Sequence, residues 1–245
     1  MLGLLLALAA TRLAHLPARS FGETLGRAAL RVYRTEVASS FIIRDYVRTH
    51  SMRKLQLGAG GQDMPGWLNT DIQLSSGEAY LDATKHFPLP DQSFHYVFSE
   101  HMIEHLEYEA GLAMLKECHR ILVPGGKVRI ATPNLLKFVE LFQDKKSDEM
   151  RRYMQYKAQW HTWPQIPTPQ CLILNLELRE FGHQFVYDPQ TLKDSLAGAG
   201  FQRITEFRPG ESDDAALRGI EGRQSNPYLR EVNNYETMVF EAVRP

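Results

Sequence analysis

The sequence predicts an α/β domain: a doubly wound, mostly parallel seven-stranded sheet with an N-terminal helical extension. Three observations predict it. Short apolar strands alternate with amphipathic helices, which implies parallel pairing through right-handed crossovers. The first strong strand runs straight into a glycine turn, Gly58-Ala59-Gly60-Gly61. The next strand ends in an acid, Asp71.

The chain of 245 residues has room for one full α/β core plus an extension. Residues 1–51 hold seven Arg, no Lys and three acids, a net of +4, whereas the whole chain carries −1. They open with an apolar run, Leu2 to Ala10, which is too short to span a bilayer. This block reads as an apolar and basic helical extension that docks on the body or, through residues 1–20, on a membrane surface. Its Arg-rich, acid-poor character also suits an organelle-targeting segment. Residues 52–245 form the main domain. The near-zero net charge leaves no field to hold a polyphosphate backbone, which argues against general nucleic-acid binding. Cys118 and Cys171 belong to no CxxC pair, so neither a disulfide framework nor a thiolate zinc site is expected. A reducing, cytoplasmic compartment is the simpler expectation.

Lys54 to Leu57 is the first strand and Trp67 to Ile72 the second. Ala79 to Ala83 is a brief extended piece carrying Asp82, and Pro88, Pro90 and Asp91 mark a turn. His95 to Ser99 reads as a buried strand. Leu112, Leu115, Ile121 and Leu122 give residues 109–122 an apolar helical face, which Pro124-Gly125-Gly126 terminates. Lys127 to Ala131 is the next strand. A charged helix, the aromatic run Trp160-His161-Thr162-Trp163 and three prolines then suggest an insertion at about 135–180. Asp188-Pro189 starts a helix with Pro at its first position. Phe201 to Phe207 and Tyr235 to Val243 supply the last two strands.

A strand that enters Gly-x-Gly-Gly lets the backbone approach a ligand with no Cβ in the way. A following helix would aim its N-terminal N–H groups at that ligand. Asp71 stands where nucleotide-binding α/β folds grip ribose hydroxyls. A nicotinamide fingerprint would need a third glycine where Asp63 stands.

The run 54–134 resembles class I S-adenosylmethionine (SAM)-dependent methyltransferases. The matching pieces are LQLGAGG at 55–61, GWLNTDI at 66–72, LDATKHFPLPDQSFHYVFSEHMIEHL at 81–106 and ECHRILVPGGKVRIATPN at 117–134. FGHQFVYDPQTLKDSLAGAGF at 181–201 continues the likeness, and 1–51 lie outside it. Within the family the chain is similar to methyltransferases associated with polysaccharide biosynthesis. The resemblance implies that Gly58, Ala59 and Gly60 line the methionine and ribose of SAM. It places Asp71 on the ribose diol with Ile72 beside it, and Asp82 on the adenine amino group with Ala83 beside it. Ser99, Glu100 and His101 would face the sulfonium and the acceptor, a small-molecule or glycan hydroxyl. One position departs from the pattern. Many members carry an acid two residues before the first glycine, and here it is Gln56.

A hydroxyl acceptor needs its proton removed, and histidine suits that role. His101, His161 and His183 are the candidates, with Glu100 beside His101. Ser99 to His105 also contains His-x-x-Glu-His, the spacing of a zinc-hydrolase signature using His101, Glu104 and His105. With no third ligand marked, no metal is expected. A non-catalytic SAM-fold binding protein is the other alternative.

Overall fold

A computed structural model describes residues 35, 37–74, 78–160, 169–225 and 227–245. One seven-stranded sheet organises them. In chain order the strands are β1 (Lys54–Leu57), β2 (Leu68–Asp71), β3 (Ala79–Tyr80), β4 (Phe94–Glu100), β5 (Leu122–Pro133), β6 (Gln202–Phe207) and β7 (Thr237–Val243). Across the sheet the order is β3-β2-β1-β4-β5-β7-β6. Strands β1 to β5 pair in parallel, and β7 runs antiparallel to both β5 and β6. The expected fold class is the observed one.

The helices are α1 (37–49), α2 (Tyr108–Ile121), α3 (Leu135–Glu140), α4 (Asp148–Trp160), α5 (Gln170–Arg179), α6 (Pro189–Gly198), α7 (Gly222–Ser225) and α8 (Pro227–Glu236). The capping expected at Asp188 is present. Its Oδ1 accepts from the N–H groups of Gln190 (2.8 Å) and Thr191 (3.0 Å), satisfying two donors that a helix start leaves open. Tyr235, expected in the last strand, closes α8 instead, and β7 begins two residues later.

The two faces of the sheet are covered differently. Strand alternation puts Leu55, Val97, Val128 and Ala242 in one cross-strand row, with Leu57, Ser99, Ile130 and Phe240 in the next. That face packs on α2 through Met114, Leu115 and Cys118, and on α6 through Leu192 and Leu196. Helix α1 joins the same core through Ile43 and Tyr46. The Tyr46 hydroxyl accepts from Lys54 N–H (2.9 Å) and lies 3.0 Å from the Lys54 and Gly66 carbonyl oxygens. The boundary expected after residue 51 therefore falls inside one packed body, because α1 shares the sheet's own core.

The opposite face carries Gln56, Phe98, Arg129 and Glu241 in register. No helix lies between β1 and β2, so ten residues of turn, 58–67, make a parallel crossover that a helix usually makes. The turn is therefore not followed by a helix whose N-terminal N–H groups could face a ligand. The uncovered face is closed by the connection between β6 and β7. Leu217 and Ile220 pack there with Trp67 and Phe98. Fully buried Arg129 donates to Glu221 through Nε (2.7 Å) and to Glu241 through Nη1 (2.5 Å). An ion group out of water is tolerable only when paired in this way.

The insertion is helical. Phe138 of α3, Tyr153 of α4 and Ile173 of α5 form a second cluster with Val232 and Tyr235 of α8. Among the described residues no helix is long and apolar enough to cross a membrane. Residues 1–34 lie outside the description, and with them the expected docking or targeting run.

Candidate active site

At the carboxyl end of β1 the chain turns through three left-handed glycines, Gly58 (φ 68°), Gly60 (φ 56°) and Gly61 (φ 83°), of which the first two bear on the site. Those two differ in what surrounds them. A Cβ on Gly58 would lie 2.4 Å from Met102 Cγ, whereas at Gly60 no atom lies within 4 Å of where a Cβ would stand. Gly58 is thus a packing glycine and Gly60 borders open space. The Gly60 N–H donates to Asp71 Oδ2 (2.8 Å), and Gln73 N–H donates to Asp71 Oδ1 (2.7 Å). These bonds fix the carboxylate at the end of β2 while leaving each oxygen a further lone pair. The Gly61 N–H donates to Glu78 (3.0 Å). The turn's donors, expected to face a ligand, are therefore taken by the chain's own acids, and the acids carry the polar surface. Leu81 N–H donates to the Asp71 carbonyl (3.1 Å), placing Asp82 one strand end further along. Thr84 occupies Asp82 Oδ1 through its N–H and its hydroxyl. Ile72, beside Asp71, is 58 % exposed, and Ala83 is half-buried.

Strand β4 ends in Ser99, Glu100 and His101. Ser99 is fully buried, and its hydroxyl has no hydrogen-bond partner. Glu100 accepts from Gly222 N–H (2.8 Å) and Arg223 N–H (3.4 Å), so it anchors the start of α7 instead of facing an open crevice. His101 adopts a left-handed backbone (φ 47°), uncommon for a residue with a side chain. Its Nε2 lies 2.9 Å from Thr237 Oγ1, and its Nδ1 lies 3.2 Å from Glu104 Oε1. Glu104 is completely buried and also accepts from the Thr132 hydroxyl (2.9 Å). Burial alone would raise its pKa. Its contact with His101 outweighs that and holds the carboxyl below its ordinary value.

His101 and Glu104 border a cavity of about 380 Å³ whose wall also includes His105, Lys157, Glu177 and His183. Residues 103–105 form one tight 3-10 turn, not an α-helix, and His101 lies outside it. The arrangement that the zinc-hydrolase alternative required, His101, Glu104 and His105 on a shared helical face, is therefore not formed. His183 meets His105 edge-on instead, with ring centres 5.0 Å apart. Behind the cavity Lys157 bridges Glu177 (2.5 Å) and Glu236 (2.8 Å), and the Tyr153 hydroxyl donates to Glu236 (2.8 Å). Burial works against the Lys157 charge, but the two carboxylates prevail and hold its pKa above the usual lysine value.

The sequence profile of a family described as a methyltransferase domain matches residues 70–130, from the end of β2 through most of β5. Those residues carry Asp71, Asp82, Ser99, Glu100 and His101 at the strand ends just described. Residues 70–130 are thus similar to a methyltransferase domain. Solved structures of low similarity include phosphoethanolamine N-methyltransferase 2 of Haemonchus contortus in complex with SAM. It is 16 % identical over 79 % of this chain and 49 % of its own, with a TM-score of 0.40. This chain thus spans about half the length of that relative. A SAM-dependent methyltransferase of Mesorhizobium loti is 17 % identical over 79 % and 91 % of the two chains, at a TM-score of 0.46. A possible histamine N-methyltransferase of Thermotoga maritima is 15 % identical over 89 % and 97 %, at 0.44. No protein of curated function matches.

The residues at these strand ends suit SAM, the cofactor that the sequence resemblance implies. The space at Gly60, the fixed Asp71 carboxylate, the exposed apolar Ile72 and the orphaned Ser99 hydroxyl line one edge of the sheet. Gln56, where many relatives carry an acid, is 2 % exposed and leaves its Oε1 without a partner. The structure brings His101 and His183 to one cavity, while His161 lies outside the described residues. Sequence reasoning missed Lys157, Glu177 and Glu236. They come from three separate helices, and each reads alone as an ordinary helix-surface charge. It also missed Arg129, whose place in β5 resembles a solvated alternate position until Glu221 is seen against it.

Proposed function

We propose that this domain transfers the methyl group of SAM to a hydroxyl of a small molecule or glycan held in the cavity beside His101. The observation that carries the proposal is the shared strand end: β4 ends beside the glycine turn of β1, and His101, just past that end, borders the cavity. The two residues from Ser99 to His101 span at most about 7 Å, a separation that suits transfer between adjacent sites. The glycan class rests on the family resemblance.

In this reading Gly58, Ala59 and Gly60 pass beneath the methionine and ribose, Asp71 receives the ribose diol, and Ile72 and Ala83 flank the adenine. The remaining Asp82 oxygen accepts from the adenine amino group. When bound, SAM supplies a methyl carried on a sulfonium, a leaving group that needs no protonation. The chain's own task is then to hold the acceptor, keep water out and receive one proton. His101 is the proposed base. Glu104 orients its Nδ1 side, and Thr237 Oγ1 sits beside Nε2 where an acceptor hydroxyl would stand. Residues 52–245 with α1 form the catalytic unit. Residues 1–34 are proposed as a docking or membrane-surface segment. The two free cysteines, one buried and one exposed, support a reducing cytoplasmic setting.

The test is an acceptor screen followed by His101→Gln. The variant is expected to bind SAM within about twofold of the wild type, while turnover falls by roughly 10²–10⁴-fold. Unchanged turnover would remove His101 from the chemistry.

A further inference from the structure

The cavity wall holds a side-chain set that methyl transfer as proposed uses only through Glu104. One nitrogen each from His105 and His183 and one carboxylate oxygen of Glu104 all lie within 4.8 Å of one another. We propose that Glu104, His105 and His183 form a three-ligand site for a divalent first-row transition ion. Its open coordination positions face the cavity and take a pair of neighbouring acceptor oxygens, such as a vicinal diol.

Four observations carry the site. Two imidazoles and one carboxylate are the donor set of catalytic zinc and of related transition-metal centres that keep positions open; imidazole does not suit Mg²⁺ or Ca²⁺. His183 Nδ1 lies 2.6 Å from the Glu177 carbonyl oxygen, which can only accept. The proton is therefore on Nδ1, and Nε2 is left as a lone pair with its ring orientation fixed, the outer-shell arrangement that metal-ligating histidines show. Glu104 is completely buried, and its Oε1 accepts no aligned hydrogen bond although His101 Nδ1 is 3.2 Å away. A carboxylate oxygen so placed costs stability unless something positive completes it. Finally, the two loops are tied together. The Glu104 carbonyl accepts from Gln184 N–H (2.7 Å) and Phe185 N–H (3.1 Å), holding His183 to the Glu104–His105 turn in advance of any ligand.

Metal binding stands independently of methyl transfer; only the diol part of the proposal rests on the previous reading. The set also differs from the zinc-hydrolase spacing in the sequence, because His183 replaces His101.

The experiment titrates chelator-treated, full-length protein with Zn²⁺ in a calorimeter, beside His105→Gln, His183→Gln and the double variant. SAM affinity is measured on the same samples. One Zn²⁺ per chain is expected for the wild type. Affinity should fall on the order of 10- to 100-fold in each single variant, with SAM affinity unchanged. No zinc binding by the wild type, or equal binding by the double variant, would overturn the site. If a variant loses SAM as well, the Co²⁺ spectrum of the wild type decides. Visible bands of imidazole-ligated cobalt support the site, and the spectrum of the hydrated ion contradicts it. Zinc bound without SAM would sink the methyl-transfer reading alone, and SAM bound without zinc would sink this inference alone.

Discussion

The two ends of the site are built in opposite ways. The cofactor edge uses few residues from one stretch of chain, Gly58 to Ala83, set at successive strand ends and partly open to solvent. The cavity is assembled from the turn after β4, the end of β5, α4, α5, the loop before α6, α7 and α8, with ionised groups buried among them. In the proposed reading the first arrangement is a ledge that would bind by hydrogen bonds and contact with an apolar edge. The second makes a rigid polar chamber whose charges stay only because each has a partner. Recognition of a common cofactor is thus written locally, while acceptor geometry depends on contacts distant in sequence.

The largest effect separating local from long-range construction should come from Arg129. Arg129→Met removes the cation that Glu221 and Glu241 share and leaves buried carboxylates behind. It should cost about 3–5 kcal/mol in urea unfolding. A loss below 1 kcal/mol would mean that the β6–β7 connection is not held to the sheet by this group.

The two glycines split the ledge itself. Gly58→Ala meets Met102 and a left-handed backbone, and should cost about 2–4 kcal/mol of stability. Gly60→Ala carries only the backbone cost, about 1 kcal/mol, but its methyl enters the open space and should weaken SAM binding at least tenfold. Equal stability losses in the two variants would erase the distinction between a packing and a ligand-facing glycine.

The smallest effect lies outside both regions. Hydrogen bonds from Arg120 hold the Glu117 carboxyl down at about 2. A depressed carboxyl contributes stability that is complete above its unfolded value of about 4.3 and is lost as pH falls toward 2. Glu117→Gln should therefore flatten the unfolding free energy between pH 5 and pH 2, leaving the cavity and ledge unaffected. A wild-type slope in the variant would contradict this.

The contrast also explains how far the sequence could be read. Strand alternation and turn residues placed all seven strands, because those signals act over a few residues. Asp71, Asp82 and His101 were legible as strand-end residues. The helix-free β1–β2 crossover was legible in the short gap between the two expected strands, which holds four glycines and a proline. Helix α1 was read as an extension because its Arg-rich surface hides two core contacts, Ile43 and Tyr46. Glu100 looked like an active-site acid until the α7 backbone was seen to occupy it. The pairing of His105 with His183 had no sequence signal at all, since 78 residues separate them.

The central claim is that the glycine turn and Asp71 form the SAM site, and calorimetric titration of SAM into wild type and Asp71→Ala tests it most directly. The account predicts one SAM per wild-type chain and an affinity at least tenfold weaker in the variant, roughly the 1.5–3 kcal/mol of hydrogen bonds to a charged group. Equal affinities, or no heat of binding with the wild type, would contradict it.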